Sequence, residues 1–223
     1  MRKLFGYDGV MVRLSEYFNT FLLSNILTIL CCLPIITAPG ALAAHQKVMQ
    51  NFMFGEQKPI IKSYFLALWD NWGMAGGLLV LLLMTVAMLA VDICLVYFFT
   101  AGIVALLLYI ILVSTFFVVI GIAACCLSLI VRYENTLMEH LRNALYMLLS
   151  HFSRIILMAV LASVPFAMFF LFPANFIQLL PLWACFGLSI LVFLHTKLVK
   201  PILEELDSMQ NDTEQEDDVL AKT

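Results

Sequence analysis

The sequence predicts an all-α fold, a polytopic α-helical membrane bundle, and two observations predict it. Hydrophobic residues make up 63% of the 223 residues and charged residues 12%, whereas soluble domains are about half apolar and a quarter charged. The mean hydropathy is +1.01, and the apolar residues gather in long runs without the two-residue alternation of a barrel strand. In lipid only helices satisfy the backbone polar groups of such runs. These observations exclude a soluble globular protein.

The first apolar stretch is FLLSNILTILCCLPIITAPG, residues 21–40, and it allows two courses. It crosses the membrane once over Phe18–Thr37, or it folds back at Pro34–Gly40 and returns through Ala41–Met53. Phe18–Thr37 is long enough to span, since a helix needs about 20 residues to cross the hydrocarbon core. Ala41–Met53 carries His, Lys and Gln side chains that suit an interface better than a core. We therefore expect a single crossing.

Four further apolar stretches complete the predicted bundle. Gly73–Phe98 and Ala101–Val131 are separated by almost nothing, so they are expected to form a helical hairpin. Ile155–Phe172 and Ile177–Leu194 form a second hairpin, with the turn at residues 172–175 (FPAN). With the opening stretch, the sequence predicts about five spanning helices.

Two amphipathic elbow helices lie between the predicted spans. The first, Pro59–Trp72, places apolar residues at helical spacing and ends in Trp69 and Trp72, which are natural anchors at a membrane interface. The second, Glu134–Phe152, also has one apolar face. The apolar residues expected on these two faces are Ile61, Tyr64, Phe65 and Leu68, and Leu137, Met138, Leu141, Leu145 and Leu148.

The distribution of charge predicts the orientation and two regions of the chain. Neither hairpin tip contains Lys or Arg, so the positive-inside rule places the tips outside and both elbows and the C-terminus in the cytoplasm. Residues 1–203 hold eleven basic against seven acidic residues and form a single integral-membrane domain. Residues 204–223 hold eight acids and almost nothing apolar, and we expect an acidic, disordered cytoplasmic tail.

One group of residues resembles a known family. Asn25, then CCLPIIT at residues 31–37, then Gly40, resembles the YesL family of bacterial membrane proteins. Phe5–Gly9 and the aromatic elbow at Ser63–Trp72 are similar to that family as well. The resemblance is most specific in CCLPIIT.

The resemblance implies a setting for the protein. It implies a bacterial plasma membrane, which the chain crosses several times. Members of the YesL family are often encoded beside carbohydrate ABC importers, which implies a link to sugar uptake and permease subunits as partners. The family carries no assigned activity, so it supplies no catalytic residue.

Five polar or helix-breaking positions are candidates for function. Asn25 either lines a polar pocket or hydrogen-bonds between helices, and we expect the second. Pro34 and Gly40 form a hinge or simply end a helix, and we expect an ending; Thr37 belongs to the same motif. Asp92 is the only acid within an apolar span; we expect a hydrated helix end rather than an ion or sugar contact.

The remaining patterns indicate a non-catalytic protein. No nucleophile motif, nucleotide-binding loop or H-E-x-x-H occurs, and the six cysteines lack metal-ligand spacing. We expect no enzyme activity, no cofactor, no metal and no nucleic-acid partner. Gly73-x-x-x-Gly77 is compatible with a homo-oligomer or with packing inside the chain.

Two functions remain open after these exclusions. The first is an accessory component of carbohydrate uptake or its sensing, with Arg142 and Asn143 of the second elbow as partner contacts. The alternative is a small oligomeric transporter or channel.

Overall fold

A computed structural model describes residues 10–56 and 58–220 of the chain. Within these two ranges every regular element is helical. The Phe5–Gly9 part of the resemblance lies outside them. The helices are α1 (Val10–Cys32), α2 (Ala38–Met53), α3 (Ile60–Phe99), α4 (Gly102–Ile130), α5 (Leu137–Ser150), α6 (Phe152–Leu171), α7 (Pro173–Leu182) and α8 (Leu188–Leu220). A 3₁₀ turn, Ile35–Thr37, joins α1 to α2, and a π-helical turn, Trp183–Gly187, joins α7 to α8.

The all-α membrane bundle is confirmed, with four helices long and apolar enough to span among the described residues. These are Ile60–Phe99, Gly102–Ile130, Phe152–Phe169 and Pro173–Ser208. The expected fifth span, α1, is not among them although it is 23 residues long. Four of its polar side chains form one buried stripe, which faces the protein rather than lipid: Thr20, Ser24, Asn25 and Thr28.

One end of the bundle is basic. The Phe54 ring lies 4.0 Å from the guanidinium carbon of Arg132 and 5.1 Å from Lys200 Nζ. Lys200 Nζ also donates a 2.9 Å hydrogen bond to the Met53 carbonyl. The C-terminal ends of α2 and α4 therefore meet α8 here, and we call this the basic end.

The helices α1 and α2 form a fold-back hairpin, Val10–Met53. Tyr17 near the start of α1 packs edge-on against Phe52 at the end of α2, with ring centroids 4.7 Å apart. Nearer the tip, Thr28 Oγ1 lies 2.8 Å from His45 Nδ1. The two helices are therefore antiparallel, and the start of α1 and the end of α2 both lie at the basic end.

The tip of this hairpin stops far short of the other end of the bundle. Gln46 donates a 3.0 Å hydrogen bond to Ser128 Oγ. The start of α2 lies eight residues from Gln46, which is about 12 Å along the helix. By contrast, α4 extends 26 residues from Ser128 to Gly102, which is about 39 Å. The predicted single crossing over Phe18–Thr37 is therefore wrong, and the fold-back alternative is correct. The run is long enough to span, but the helix ends before Pro34, which cannot donate a backbone hydrogen bond.

The first predicted elbow, Pro59–Trp72, is not a separate helix. It forms the first third of α3, which runs unbroken for 40 residues. Gly73 at the junction lowers helix stability by about 1 kcal/mol, which is too little to break a helix held by its neighbours. Of the predicted apolar face, Tyr64 and Leu68 are buried, whereas Ile61 and Phe65 are exposed.

The second predicted elbow is a separate helix, α5. Its start is fixed by a capping box, in which the Thr136 hydroxyl accepts from the Glu139 N–H and the Glu139 carboxylate accepts from the Thr136 N–H. It ends at His151, whose φ of −129° and ψ of 43° are not helical. The predicted apolar face is partly wrong, because Met138 and Leu145 are 74% and 49% exposed. The buried side instead includes His140, Ala144 and Met147.

The acidic segment begins within the last helix. Helix α8 continues through it to Leu220. Asp207 pairs with Arg132 and accepts a 2.6 Å hydrogen bond from the Tyr133 hydroxyl. These bonds hold Asp207 against the end of α4.

The main apolar core lies towards the basic end, between α4, α5, α6 and α8. A Cβ added at Gly121 would lie 2.8 Å from Ile155 Cγ2, so this glycine allows α4 and α6 to approach closely. The far halves of α3 and α4 are exposed on most sides, as helices that face lipid are. The fully buried members of the core include Cys125, Cys126, Leu129, Met147, Met158, Val199, Ile202 and Leu203.

The fold-back hairpin predicts a cross-link. Cysteines placed at Tyr17 and Phe52 should be joined by a short bifunctional thiol reagent in membranes, because these rings are in contact. The pair Tyr17 and Phe172 should not react, and the product is measured by its shift on a denaturing gel. A single crossing would separate Tyr17 from Phe52 by a bilayer thickness of about 30 Å and give no product.

Candidate functional site

The polar helix α2 runs through the middle of the bundle. Its side chains hydrogen-bond to four different helices. His45 contacts α1 and α8, Gln46 contacts α4 and α8, and Asn51 donates a 2.8 Å bond to Ser63 Oγ of α3. Lys47 Nζ donates to the Val131 carbonyl at the end of α4. The fully or nearly fully buried polar residues of α2 are His45, Gln46, Gln50 and Asn51.

His45 is the centre of one hydrogen-bond network. Its Nδ1 lies 2.8 Å from Thr28 Oγ1, and its Nε2 lies 3.2 Å from Ser189 Oγ. Tyr64 of α3 extends the network by donating to Thr28 Oγ1 at 3.1 Å and to the Ala41 carbonyl at 3.2 Å. One histidine thus joins α1 to α8, and the tyrosine adds α3.

A second network lies one turn nearer the basic end. Gln46 Nε2 donates to Ser128 Oγ at 3.0 Å and to Thr196 Oγ1 at 3.2 Å. Gln50 Nε2 donates to the Ser128 carbonyl at 2.9 Å. Gln50 Oε1 is buried without a partner among the described residues. This network connects α2 to α4 and α8.

Asn25 inserts into the π-helical turn between α7 and α8. Its Nδ2 donates to the carbonyls of Trp183 (3.2 Å) and Ala184 (2.6 Å), and its Oδ1 accepts from the Ser189 N–H (2.9 Å). A π turn interrupts the regular helical pattern, and the buried groups this frees need other partners. The amide of Asn25 supplies both a donor and an acceptor, so it joins α1 to the irregular part of the last helix.

Thr37 closes the tip of the fold-back hairpin. Its hydroxyl contacts the carbonyls of Cys31 and, at 2.9 Å, Pro34. Trp72 Nε1 donates a 2.8 Å bond to the Ile36 carbonyl. The non-helical backbone of the tip is therefore satisfied by side chains, as irregular backbone surrounded by apolar groups requires.

Gly40 allows the hairpin and α3 to touch. A Cβ at this position would lie 2.8 Å from the Leu68 carbonyl and 3.2 Å from Trp72 Cδ1. The first of these contacts is with backbone, which cannot move aside cheaply. Four of the predicted positions, Asn25, Pro34, Thr37 and Gly40, are thus all part of the hairpin and its contacts.

The structure places the other three predicted positions elsewhere. Asp92 is half-buried on the far half of α3 and forms no hydrogen bond or ion pair within residues 10–56 and 58–220. Arg142 is exposed and Asn143 half-buried on α5. Neither of these two has a hydrogen-bond partner in the described part of the chain. None of the three contacts the polar networks.

The sequence analysis missed His45, Gln46 and Ser189, which organise the site. The signal was available in α2, where a run of polar residues follows Ala41, Ala43 and Ala44. Small residues beside polar ones indicate a helix that packs closely and hydrogen-bonds inside a membrane protein.

An interfacial cleft of about 1040 Å³ opens at the basic end, between the first third of α3, the end of α2 and residues 130–139. Burial works against the charge of Arg132, but the hydrogen bond to Asp207, the charge of Asp207 and the neighbouring Tyr133 together outweigh burial and raise the pKa of Arg132 above its usual value. The Thr136 N–H and hydroxyl hold the pKa of Glu139 below its usual range. The charged residues that line the cleft are Lys47, Lys58, Lys62, Asp70, Arg132, Glu134 and Glu139.

No group of three His, Cys, Asp or Glu side chains among the described residues is placed to hold a metal ion. All six cysteines are free thiols. The site is therefore a set of interhelical hydrogen bonds beside a charged cleft.

Comparison with known proteins gives one match. Residues 20–93 match a family model described as a protein of unknown function, DUF624. The match covers about a third of the chain and includes most of the fold-back hairpin and α3 as far as Ile93. No curated protein matches the chain, and no solved structure does.

The bonds of Asn25 predict a loss of stability on substitution. Asn25→Ala should lower the free energy of unfolding by about 1–2 kcal/mol, because it leaves buried backbone groups without partners. Asn143→Ala is the matched control and should change it by less than about 0.5 kcal/mol. Unfolding is followed by circular dichroism in detergent. Equal stability of the two variants would show that Asn25 does not hold α1 against the π turn.

Proposed function

We propose that this protein is a non-catalytic accessory component of carbohydrate (ABC-type) uptake or its sensing, and that it works by binding other membrane proteins. The positive-inside rule supports a cytoplasmic location for the basic end and the C-terminus, in a bacterial plasma membrane. The resemblance to the YesL family supports the link to carbohydrate importers and suggests their permease subunits as partners.

The observation that carries the binding role is the outward side of α5. Four residues follow one another at helical spacing on this side: Met138, Arg142, Leu145 and Leu149. Met138 is 74% exposed and Leu149 is 77% exposed. We call these four residues the α5 stripe.

The α5 stripe is better suited to contact with a partner protein than to exposure to water. Its three apolar side chains would be costly to leave in water, and Arg142, although its charge reaches Glu139, forms no ion pair within the described chain. An arginine among apolar side chains is a common centre of binding energy at protein interfaces. Asn143 lies beside the stripe with unused hydrogen-bonding groups.

The hydrogen bonding of the buried polar groups agrees with a non-catalytic role. Both nitrogens of His45 are engaged by hydroxyl groups, and Asn25 is used by backbone. The side chains most suited to chemistry are therefore occupied in joining helices. His140 is fully buried among apolar groups, where it is not open to a substrate.

The alternative is a small oligomeric transporter or channel, and one observation favours it. The fold-back hairpin and the π turn are both interruptions of helical structure, and they meet at Asn25. Interrupted helices that meet inside a bundle are typical of transporter binding sites. Asp92 on the far half of α3 is available as an ionisable group in such a path.

The accessory role predicts the effect of reversing one charge. Arg142→Glu should lower the amount of permease subunits that co-purify with the tagged chain by at least about fivefold, because a central interface arginine contributes more than about 1 kcal/mol. Lys197→Glu is the control, since Lys197 is also exposed and lies outside the stripe. Quantitative mass spectrometry measures the co-purified subunits, and both variants should insert normally.

The purified protein in liposomes should show no uptake of sugars or ions. Uptake by the protein alone would contradict the accessory role and favour the transporter. Equal co-purification with Arg142→Glu and Lys197→Glu would show that the α5 stripe only anchors the helix in lipid.

A further inference from the structure

The interfacial cleft contains two cations without acidic partners. Lys47 Nζ donates a 2.5 Å bond to the Val131 carbonyl and has no carboxylate within ion-pair distance among the described side chains. Lys62 is exposed and likewise forms no ion pair there. By contrast, Arg132 is neutralised by Asp207, and Lys58 by Glu56 at 2.5 Å. Lys47 and Lys62 are therefore free to meet an anion.

Lys47 has no free anion beside it. The charged groups close enough to interact with it are Glu56, Lys58 and Arg132. Glu56 is already paired with Lys58, and Arg132 with Asp207. A half-buried ammonium group in such surroundings lacks the negative charge that would compensate it.

The cleft lies where water gives way to hydrocarbon. Along α3 the last charged residue before the apolar run is Asp70, and that run begins at Gly73. Next to Asp70, Trp69 is 68% exposed, and such exposed tryptophans mark the level of lipid headgroups. Leu66, which is 53% exposed, lines the cleft and gives it an apolar rim.

The other lining groups suit hydroxyls. Asp70 and Glu134 form no ion pair in the described part of the chain, and Asn71 and Asn135 add amides. Carboxylates and amide oxygens accept hydrogen bonds from alcohols, and the carboxylates repel a second negative charge. The cleft therefore fits a ligand with one phosphate charge and a hydroxyl-rich group.

We propose that the interfacial cleft binds the headgroup of a phosphatidylglycerol-type lipid from the leaflet at the basic end. Lys47 and Lys62 hold the phosphodiester, and Asp70 and Glu134 accept hydrogen bonds from the glycerol hydroxyls. Leu66 contacts the start of an acyl chain. Basic clefts between membrane helices on the cytoplasmic side are suited to anionic lipids in this way.

Native mass spectrometry of the full chain in detergent tests this site. Phosphatidylglycerol is titrated against phosphatidylcholine with the same acyl chains, and it should bind at least about fivefold more tightly. Lys47→Gln and Lys62→Gln should each weaken phosphatidylglycerol binding about fivefold, the effect of one lysine near a membrane phosphate. Lys197→Gln, also exposed but outside the cleft, should bind like the wild type.

Three results would overturn the proposal. The first is equal binding of the two lipids by the wild type. The second is unchanged binding by Lys62→Gln, whose exposed side chain can be replaced without loss of the fold even if Lys47→Gln misfolds. The third is displacement of the lipid by excess inorganic phosphate alone, which would assign the lysines to a free phosphate compound.

Discussion

The hydrogen bonds of His45 are the interaction on which the rest of the structure depends. Between helices in lipid, apolar side chains gain little by leaving the membrane, so helices associate through close packing and hydrogen bonds. Helix α2 provides both, because Gly40 and Ala41 let its neighbours approach while His45 bonds to Thr28 and Ser189. Without α2, α1 would keep its direct bonds to α8 and α3, but the buried link between α4 and α8 through Gln46 would be lost. An unpaired His45 would also leave a buried polar group, which costs about 1–3 kcal/mol.

The irregular segments are held in the same way. The tip of the hairpin is closed by Thr37 from within and by Trp72 from α3. The π turn is held by Asn25 from α1. Each irregular segment thus obtains a hydrogen-bond partner from another helix. Because the hairpin takes part in both sets of bonds, its tip and the π turn stabilise one another. This arrangement makes a firm scaffold, which suits a protein that presents surfaces such as the α5 stripe and the interfacial cleft.

The sequence predicted the long spans well and the hairpin poorly, for physical reasons. Gly73–Phe98 has no alternative in lipid to a helix, so its length alone decides its structure. Phe18–Thr37 is also long enough to span, but its polar stripe faces the protein, and this burial is visible only when the partner helices are known. Thr37 and Asn25 were recognisable as unusual residues from their types. The role of Asn25 depends on Ser189, 164 residues away in the chain, which no local pattern predicts.

The central claim is that both arms of the fold-back hairpin end at the basic end of the bundle. The side of the membrane on which each arm lies tests this claim most directly. Single cysteines at Met11, Ala174 and Ser208, all exposed, are treated in intact cells with a membrane-impermeant maleimide, and labelling is counted above the wild-type background. The fold-back hairpin predicts that Ala174 alone is labelled in cells, and that Met11 and Ser208 are labelled together in inverted vesicles. Labelling of Met11 but not Ser208 in intact cells would contradict it, since α1 would then cross the membrane.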